Sequence, residues 1–151
     1  MISFVITLEN HEYSEAKAQR CIETAEFFGL AVQRFKAVGS AVALEVMGEA
    51  GLRWTWTQSA VRFCHKTGLR QHPYGDLLPK IGCSLSHYLL WQRCVELDQP
   101  ILILEHDAVF LRPLPEIEFN GICQINDPAG ATHQGAWWSE QMVKRGPGVW
   151  P

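Results

Sequence analysis

Alternating and continuous runs of apolar residues predict an ordered succession of strands and helices in this chain. Residues 2–8 alternate as a first strand, residues 14–28 have helical spacing, and residues 30–38 return to a strand pattern. Ser14 is suited to begin the helix as its N-cap, and Gly29 is suited to end it. A strand, a helix and a second strand in this order form a right-handed crossover between parallel strands. The first part of the chain therefore predicts an α/β fold.

The strongest pattern lies in the middle of the chain. Apolar side chains recur at nearly helical spacing over residues 80–97, and Pro100 then prevents the helix from continuing. Residues 101–104 form a continuous apolar run, which is typical of a strand that is buried on both faces of a parallel sheet. We therefore predict a helix followed by a central strand.

Weaker patterns predict five further elements: a helix over 41–50 ended by Gly51, a short strand over 53–57, a loop over 66–79, a strand over 119–125 and a turn over 126–130. In the short strand, Trp54 and Trp56 would share one face. Two interpretations are open for this pair, since tryptophans of this kind either pack in a core or stack on a sugar or a base. His65 and His72 are interpreted as solvated side chains.

Charged residues follow directly after the predicted central strand. On an extended backbone, Glu105 and Asp107 would point to the same side of the sheet, with His106 between them. Ligands of open α/β sheets bind at the carboxyl ends of the strands. Two carboxylates at such an edge suit Mg²⁺ or Mn²⁺, which in turn bind phosphate-bearing substrates. The alternative is a strand end with solvated acids.

Composition and charge narrow the class of protein. The chain has 151 residues, of which 47% are hydrophobic and 19% charged, so we predict one domain over residues 1–151. The net charge of −3 gives no electrostatic footprint for nucleic acid. No apolar run is long enough for a transmembrane segment, and acids stand at 9, 12 and 15, where a signal peptide would be apolar. We predict a cytoplasmic protein.

Cysteine spacing and glycine motifs argue against other kinds of site. The five cysteines contain no C-x-x-C pair, so we interpret them as reduced thiols, with no paired spacing to support a zinc site or a cysteine nucleophile. Neither G-x-G-x-x-G nor a Walker sequence is present, which argues against a phosphate-transfer enzyme.

Two segments carry a resemblance to a known family. Residues 81–87, Ile-Gly-Cys-Ser-Leu-Ser-His, with Trp91 downstream and residues 101–108, Ile-Leu-Ile-Leu-Glu-His-Asp-Ala, resemble the G-C-x-x-S-H…W…L-I-L-E-D-D-A signature of glycosyltransferase family 25. That family includes lipooligosaccharide and collagen galactosyltransferases. The similarity extends in order from residue 1 to about residue 115. The sequence departs from the signature at His106, where the family has an acid.

The resemblance implies a fold and an activity. The expected fold is a GT-A-like, three-layer α/β sandwich with a mostly parallel central sheet. The expected activity is metal-dependent transfer of a hexose, such as galactose from UDP-galactose, to a glycan acceptor in lipopolysaccharide-type synthesis. The cofactor would be Mn²⁺ or Mg²⁺, held by Asp107 and Glu105, with His106 as a further candidate ligand.

The resemblance also implies roles for residues of the donor site. Donor-binding roles are expected for four residues: Asn10, Ser86, His87 and Glu105. For Ser86 and His87 the structural alternative stays open, namely a hydroxyl near the helix start and a packed histidine. Cys83 and Trp91 are expected to be packing residues of the motif helix, and Asp127 is the candidate base that deprotonates the acceptor hydroxyl.

The end of the sequence gives two further expectations. The chain stops at Trp150-Pro151 without a closing element, from which we predict a truncated, N-terminal part of a longer fold. Such a part would expose apolar surface and could form a homodimer. The alternative to an active enzyme is a catalytically inactive remnant that binds a nucleotide-sugar or a metal, which the histidine at position 106 and the truncation both favour.

Overall fold

The structure is a computed structural model, and it describes residues 1–55, 77–116, 118–119, 121–123 and 125. The chain divides into two units, Met1–Leu114 and Pro115–Pro151. Because most of the second unit lies outside the described residues, the single domain predicted over 1–151 stays a prediction. None of the described helices is long and apolar enough to cross a lipid bilayer.

The first unit contains six elements in chain order: β1 (Ile2–Thr7), α1 (Glu12–Phe27), β2 (Val32–Lys36), α2 (Ala43–Glu49), α3 (Leu77–Leu97) and β3 (Ile101–Glu105). The α/β class predicted from the sequence is confirmed. Helix α3 is helical from residue 77, so the loop predicted over 66–79 was wrong for its last three residues, and residues 66–76 lie outside the described ranges.

The start of α1 differs from the prediction. The N-cap is His11, whose Nδ1 accepts a hydrogen bond from the Ser14 backbone N–H over 3.2 Å. The Ser14 hydroxyl is buried and instead accepts from the Leu8 backbone N–H over 2.9 Å, so it ties the end of the first strand to the helix. At the other end, Gly29 adopts a φ of 77°, which confirms it as the residue that ends the helix.

Two predicted strands are absent from the described residues. Residues 53–55 are not in a strand, while Trp56 and Thr57 lie outside the description. Trp54 packs against a buried cluster, which supports the core interpretation of this side chain. The described residues between 118 and 125 also form no strand, and Gly121, with a φ of 86°, interrupts the extended backbone there. The turn predicted over 126–130 lies outside the description.

The three strands form a parallel sheet in the order β2-β1-β3. The central strand of the described sheet is therefore β1, and among the described strands β3 lies at an edge and not in the central position predicted for residues 101–104. Of its apolar run, Leu102 and Leu104 are buried, while Ile101 and Ile103 are partly exposed. All three carboxyl ends lie at one edge of the sheet, because parallel strands point the same way.

Helices lie on both faces of this sheet. On one face, Val5, Leu102 and Leu104 pack with Ala18 and Cys21 of α1 in a buried cluster. Side chains alternate along a strand, so Glu105 points to the opposite face, where it meets α3. A second cluster of buried residues joins α2 and α3 to the segment after β2: Val38, Ala43, Ile81 and Leu85.

Candidate functional site

One face of α3 is fastened to the segment that follows β2. The Ser86 hydroxyl accepts a hydrogen bond from the Val38 backbone N–H over 2.9 Å and donates one to the Gly82 carbonyl over 2.8 Å. Gly82 approaches the Val38 carbonyl so closely that a Cβ atom at this position would collide with it. Gly82 and Ser86 are one helical turn apart, so both contact Val38 from the same side of the helix. They fix the position of α3 relative to the sheet edge.

The adjacent face of the same helical turn carries Cys83 and His87 to the end of β3. The His87 Nε2 lies 2.8 Å from Oε1 of Glu105, and the Cys83 thiol lies 3.8 Å from the same oxygen. The three side chains offer a sulfur, a nitrogen and an oxygen that all lie within 4.8 Å of one another. The motif thus consists of two i, i+4 pairs on neighbouring faces of α3. Gly82 and Ser86 hold the helix against Val38, and Cys83 and His87 contact Glu105.

The pKa values of this cluster favour an ion pair. The hydrogen bond with the Cys83 side chain and the hydrogen bond to Glu105 raise the pKa of His87 from 6.5 to about 9, against the opposing effect of burial. The same hydrogen bond from His87 lowers the pKa of Glu105, although partial burial acts in the other direction. At neutral pH the site therefore holds an imidazolium and a carboxylate.

The chain turns away from this face directly after Glu105. The Ala108 backbone N–H donates to the Glu105 carbonyl over 3.0 Å, which places His106 and Asp107 in a turn instead of a strand. The backbone N–H of Phe110 then donates to the hydroxyl of Thr24 in α1 over 3.2 Å. Residues 106–110 are thereby drawn toward α1.

A ring contact of His106 also places the turn after β3 close to α1. The ring of His106 meets the ring of Tyr13 edge-on, with centroids 6.1 Å apart. Burial, and secondarily the negative charge of Asp107, raise the pKa of the Cys21 thiol on α1 to about 11. Glu105 is thus directed toward α3, while Asp107 acts on a residue of α1. The shared side of the two carboxylates was predicted for an extended backbone, and β3 ends at Glu105, so the alternation of side chains does not extend to Asp107.

The predicted metal ligands do not form a group of three among the described residues. In the part of the chain that the structure describes, the group of three or more His, Cys, Asp or Glu side chains close enough to hold one ion is Cys83, His87 and Glu105. It includes neither His106 nor Asp107. Cys83 was expected to be a packing residue, but this residue is exposed. The C-x-x-x-H spacing on a predicted helix was the signal that could have identified it.

The other predicted site residues lie as follows. Asn10 is exposed in the loop after β1, with a φ of 57°, and its backbone N–H donates to Glu15 over 2.8 Å. Ser86 has no exposed surface and lies behind the site, where both of its hydrogen bonds go to backbone groups. Trp91 is 49% exposed, unlike the packing residue that was expected. Asp127 lies outside the described residues.

Comparison with known proteins identifies the family. The model of glycosyltransferase family 25, described as an LPS biosynthesis protein, matches residues 1–118. The chain belongs to glycosyltransferase family 25. A glycosyltransferase 25 family member from Drosophila pseudoobscura pseudoobscura is 32% identical over 109 residues, a match that covers 71% of this chain and 16% of the relative. No solved structure matches the chain.

The family match includes the residues that hold α3 against Val38 and the residues that meet at Glu105. In this family 25 chain, the residues from Gly82 to Asp107 all lie within the matched range. The motif that carries the resemblance is therefore the same segment that holds α3 on the sheet and delivers His87 to Glu105.

Proposed function

We propose that this family 25 chain binds a nucleotide-sugar at the carboxyl edge of its sheet and transfers a hexose to a glycan acceptor. The observation that carries the proposal is the family match over residues 1–118. Its support in the structure is that Glu105 is presented at the end of β3, where α/β sheets bind ligands. Galactose as the sugar and a lipopolysaccharide-type glycan as the acceptor are part of this proposal.

Glu105 is the residue proposed to contact the donor. Both its contact with His87 and its contact with Cys83 use Oε1. Its side chain is 47% exposed, so Oε2 is available to accept hydrogen bonds from the hydroxyls of a bound ribose. The ion pair with His87 holds the carboxylate in one orientation, which reduces the entropy that binding would otherwise cost. Asn10 lies in the loop after the neighbouring strand and is a second proposed donor contact.

The proposed chemistry is displacement at the anomeric carbon. The acceptor hydroxyl oxygen forms the new bond, the bond from that carbon to the donor phosphate oxygen breaks, and the nucleoside diphosphate leaves with the electron pair. A carboxylate takes the hydroxyl proton, and Asp127 stays the candidate for this role. Negative charge that develops on the leaving diphosphate would be stabilised by the nearby imidazolium of His87.

Mn²⁺ or Mg²⁺ stays a prediction for this protein. Asp107, Glu105 and His106 do not form a ready set of three ligands, because the ligand atoms that lie together among the described residues belong to Cys83, His87 and Glu105. The proposed steps therefore use the side chains alone. Asp107 is exposed and stays the predicted carboxylate ligand for an ion that arrives with the donor.

A second candidate function is a nucleotide-sugar-binding protein without transferase activity. The observation that favours it is His106 at the position where the family signature has an acid, together with the ligand set that is not gathered. The two candidates differ in turnover, since both predict donor binding but only the first predicts transfer or hydrolysis of the donor.

Donor binding and turnover should be measured separately. We expect UDP to bind the purified chain in calorimetry, and Glu105→Gln to weaken this binding at least about tenfold, as the loss of a charged hydrogen bond does. The matched control is Asp98→Asn, which removes an exposed carboxylate from the turn before β3, at the opposite edge of the sheet. Equal UDP affinity for Glu105→Gln and wild type would contradict the proposed donor contact. Released UDP from UDP-galactose, with and without a glycan acceptor, distinguishes the transferase from the binding protein.

A further inference from the structure

Three side chains of different chemical softness converge at the end of β3. The sulfur of Cys83, a ring nitrogen of His87 and a carboxylate oxygen of Glu105 lie within 4.8 Å of one another. Two of the separations are known individually: 2.8 Å between His87 and Glu105, and 3.8 Å between Cys83 and Glu105. Ligand atoms around a tetrahedral Zn²⁺ are about 3.3–3.7 Å apart, as follows from the usual metal–ligand bond lengths. The observed separations lie on either side of this range.

The three residues are held by rigid elements. Cys83 and His87 are one turn apart on α3, so they present two ligands on one face of a helix. Glu105 is the last residue of β3. Helix α3 is fixed against the segment after β2 by the contacts of Gly82 and Ser86 with Val38. The helix and the strand therefore present the three ligand atoms to one another from elements that are packed together.

The donor set selects the kind of ion. A thiolate and an imidazole are ligands for borderline ions such as Zn²⁺ and Co²⁺, whereas Mn²⁺ and Mg²⁺ prefer oxygen. A thiolate and a carboxylate together balance the charge of a divalent cation. Cys83 and Glu105 are both exposed, so an ion can reach the site from solvent.

We propose that Cys83, His87 and Glu105 form a binding site for a borderline divalent metal ion of the Zn²⁺ type, with the fourth coordination position open to water or to a ligand oxygen. On binding, the Cys83 thiol and the His87 imidazolium each release a proton, and the His87–Glu105 hydrogen bond is replaced by two bonds to the metal. This site goes beyond the proposed transferase function, because its occupancy requires neither a donor nor turnover. The His87–Glu105 ion pair that the transferase proposal uses belongs to the metal-free chain.

Co²⁺ is the probe for this site, since thiolate–cobalt coordination gives a charge-transfer absorption band and tetrahedral geometry gives intense visible bands. The 151-residue chain, reduced and freed of metal by a chelator, is titrated with Co²⁺ and then with Zn²⁺. We expect one equivalent of Co²⁺ to bind with a thiolate band, and Zn²⁺ to displace it. Millimolar Mn²⁺ should leave the spectrum unchanged.

Variants assign the spectrum to these residues. We expect Cys83→Ser to abolish the thiolate band, and His87→Gln and Glu105→Gln each to weaken Co²⁺ binding at least about tenfold. Two control variants, each of which removes one other thiol, should keep the wild-type spectrum. Cys94→Ser lies on the same helix, but its thiol donates a hydrogen bond to the Gln99 carbonyl. Cys64→Ser tests whether the adjacent Cys64 and His65 bind the ion instead. Circular dichroism verifies the fold of each variant. A thiolate band that survives in Cys83→Ser, or a wild-type chain that gives no thiolate band, would overturn the proposal.

Discussion

The imidazole of His87 lies 2.8 Å from the carboxylate of Glu105 and joins the motif helix to the end of β3. The pair is partly exposed, with 29% of the His87 side chain and 47% of the Glu105 side chain accessible to solvent. It lies beside Cys83, which contributes to the raised pKa of His87. The clearest consequences of this arrangement concern the dependence of stability on pH.

We expect His87 to make the chain less stable as the pH rises from about 6.5 to about 9. The pKa of His87 is raised from 6.5 to about 9 in the folded chain, so the folded state binds a proton more tightly than the unfolded state. The resulting stabilisation is fully present below about pH 6.5 and is lost as the pH rises through about 9. The lowered pKa of Glu105 adds stability above its ordinary value of 4.5, which is lost as the pH falls through the lowered pKa.

Chemical denaturation at a series of pH values tests this expectation. The free energy of unfolding of wild type should fall between pH 6.5 and 9, and the fall should be smaller in His87→Gln. His106→Gln is the control, because His106 acts on Glu105 through its charge, whereas His87 makes the hydrogen bond to the Glu105 oxygen. Identical slopes for wild type and His87→Gln would contradict the prediction, as would a His87 that titrates in NMR at its ordinary pKa.

Gly82→Ala should destabilise the chain by on the order of 1–3 kcal/mol, because the added methyl group collides with the Val38 backbone carbonyl. Alanine is otherwise the better helix former by about 1 kcal/mol, so a destabilisation shows that the close approach dominates. Gly48→Ala is the matched control, since Gly48 is also helical and an added Cβ meets nothing there. We expect this control to be neutral or to stabilise by up to about 1 kcal/mol. Urea denaturation measures both variants, and a loss in Gly48→Ala as large as that in Gly82→Ala would count against the explanation.

Ser86→Ala should cost about 1–3 kcal/mol of stability, because the buried Val38 N–H loses its acceptor. Ser84→Ala, an exposed change two residues earlier on the same helix, should alter the free energy of unfolding by less than about 0.5 kcal/mol. The same denaturation experiment reports both. If Ser86→Ala unfolds at the wild-type urea concentration, the hydroxyl does not hold α3 to Val38.

Cys21 should be the slowest of the four described thiols to react with iodoacetamide in the native chain, and Cys83 should react readily. Cys21 is buried, and its pKa of about 11 leaves roughly a hundredth of the thiolate that a pKa of 9.0 would give near pH 8. Mass spectrometry of peptides after timed alkylation, with a chelator present, gives the rate at each cysteine. Alkylation in denaturant is the control, and there the rates should become similar. A native Cys21 that reacts as fast as Cys83 would contradict the burial described here.

Asp107 and Cys83 should control the binding of different ions. The prediction that Mn²⁺ depends on Asp107 requires Asp107→Ala to lower Mn²⁺ affinity in the presence of UDP, while Cys83→Ser leaves it unchanged. The proposed Cys83 site requires Cys83→Ser to lower Co²⁺ affinity in the absence of UDP, while Asp107→Ala leaves it unchanged. Calorimetry with Mn²⁺ and absorption with Co²⁺ on the same two variants separate these outcomes. Equal Mn²⁺ affinity for wild type and Asp107→Ala would remove Asp107 from the list of metal ligands.

Local patterns in the sequence were sufficient to predict the class of fold and the segment that carries the site. The spacing of apolar residues predicted α1, α3 and the three strands. A helix or strand that buries one face repeats apolar residues at its own period, and this repeat is visible in the local sequence. Gly29 ended α1 as predicted, since a positive φ favours glycine. The order of side chains in the motif also gave the family, which the match over residues 1–118 confirmed.

Which side chains meet depended on packing between elements that are distant in the sequence. The apolar run of β3 did not reveal that β1 is the central strand of the described sheet, because strand order depends on pairing between distant segments. Alternation could not place Asp107, because the hydrogen bond from Ala108 to Glu105 ends the strand one residue before His106 and turns the chain toward α1. Cys83 joined the site only when α3 docked on Val38 and brought one helical face to Glu105. Local patterns predicted most of the elements, but the contacts between elements form only when their faces pack together.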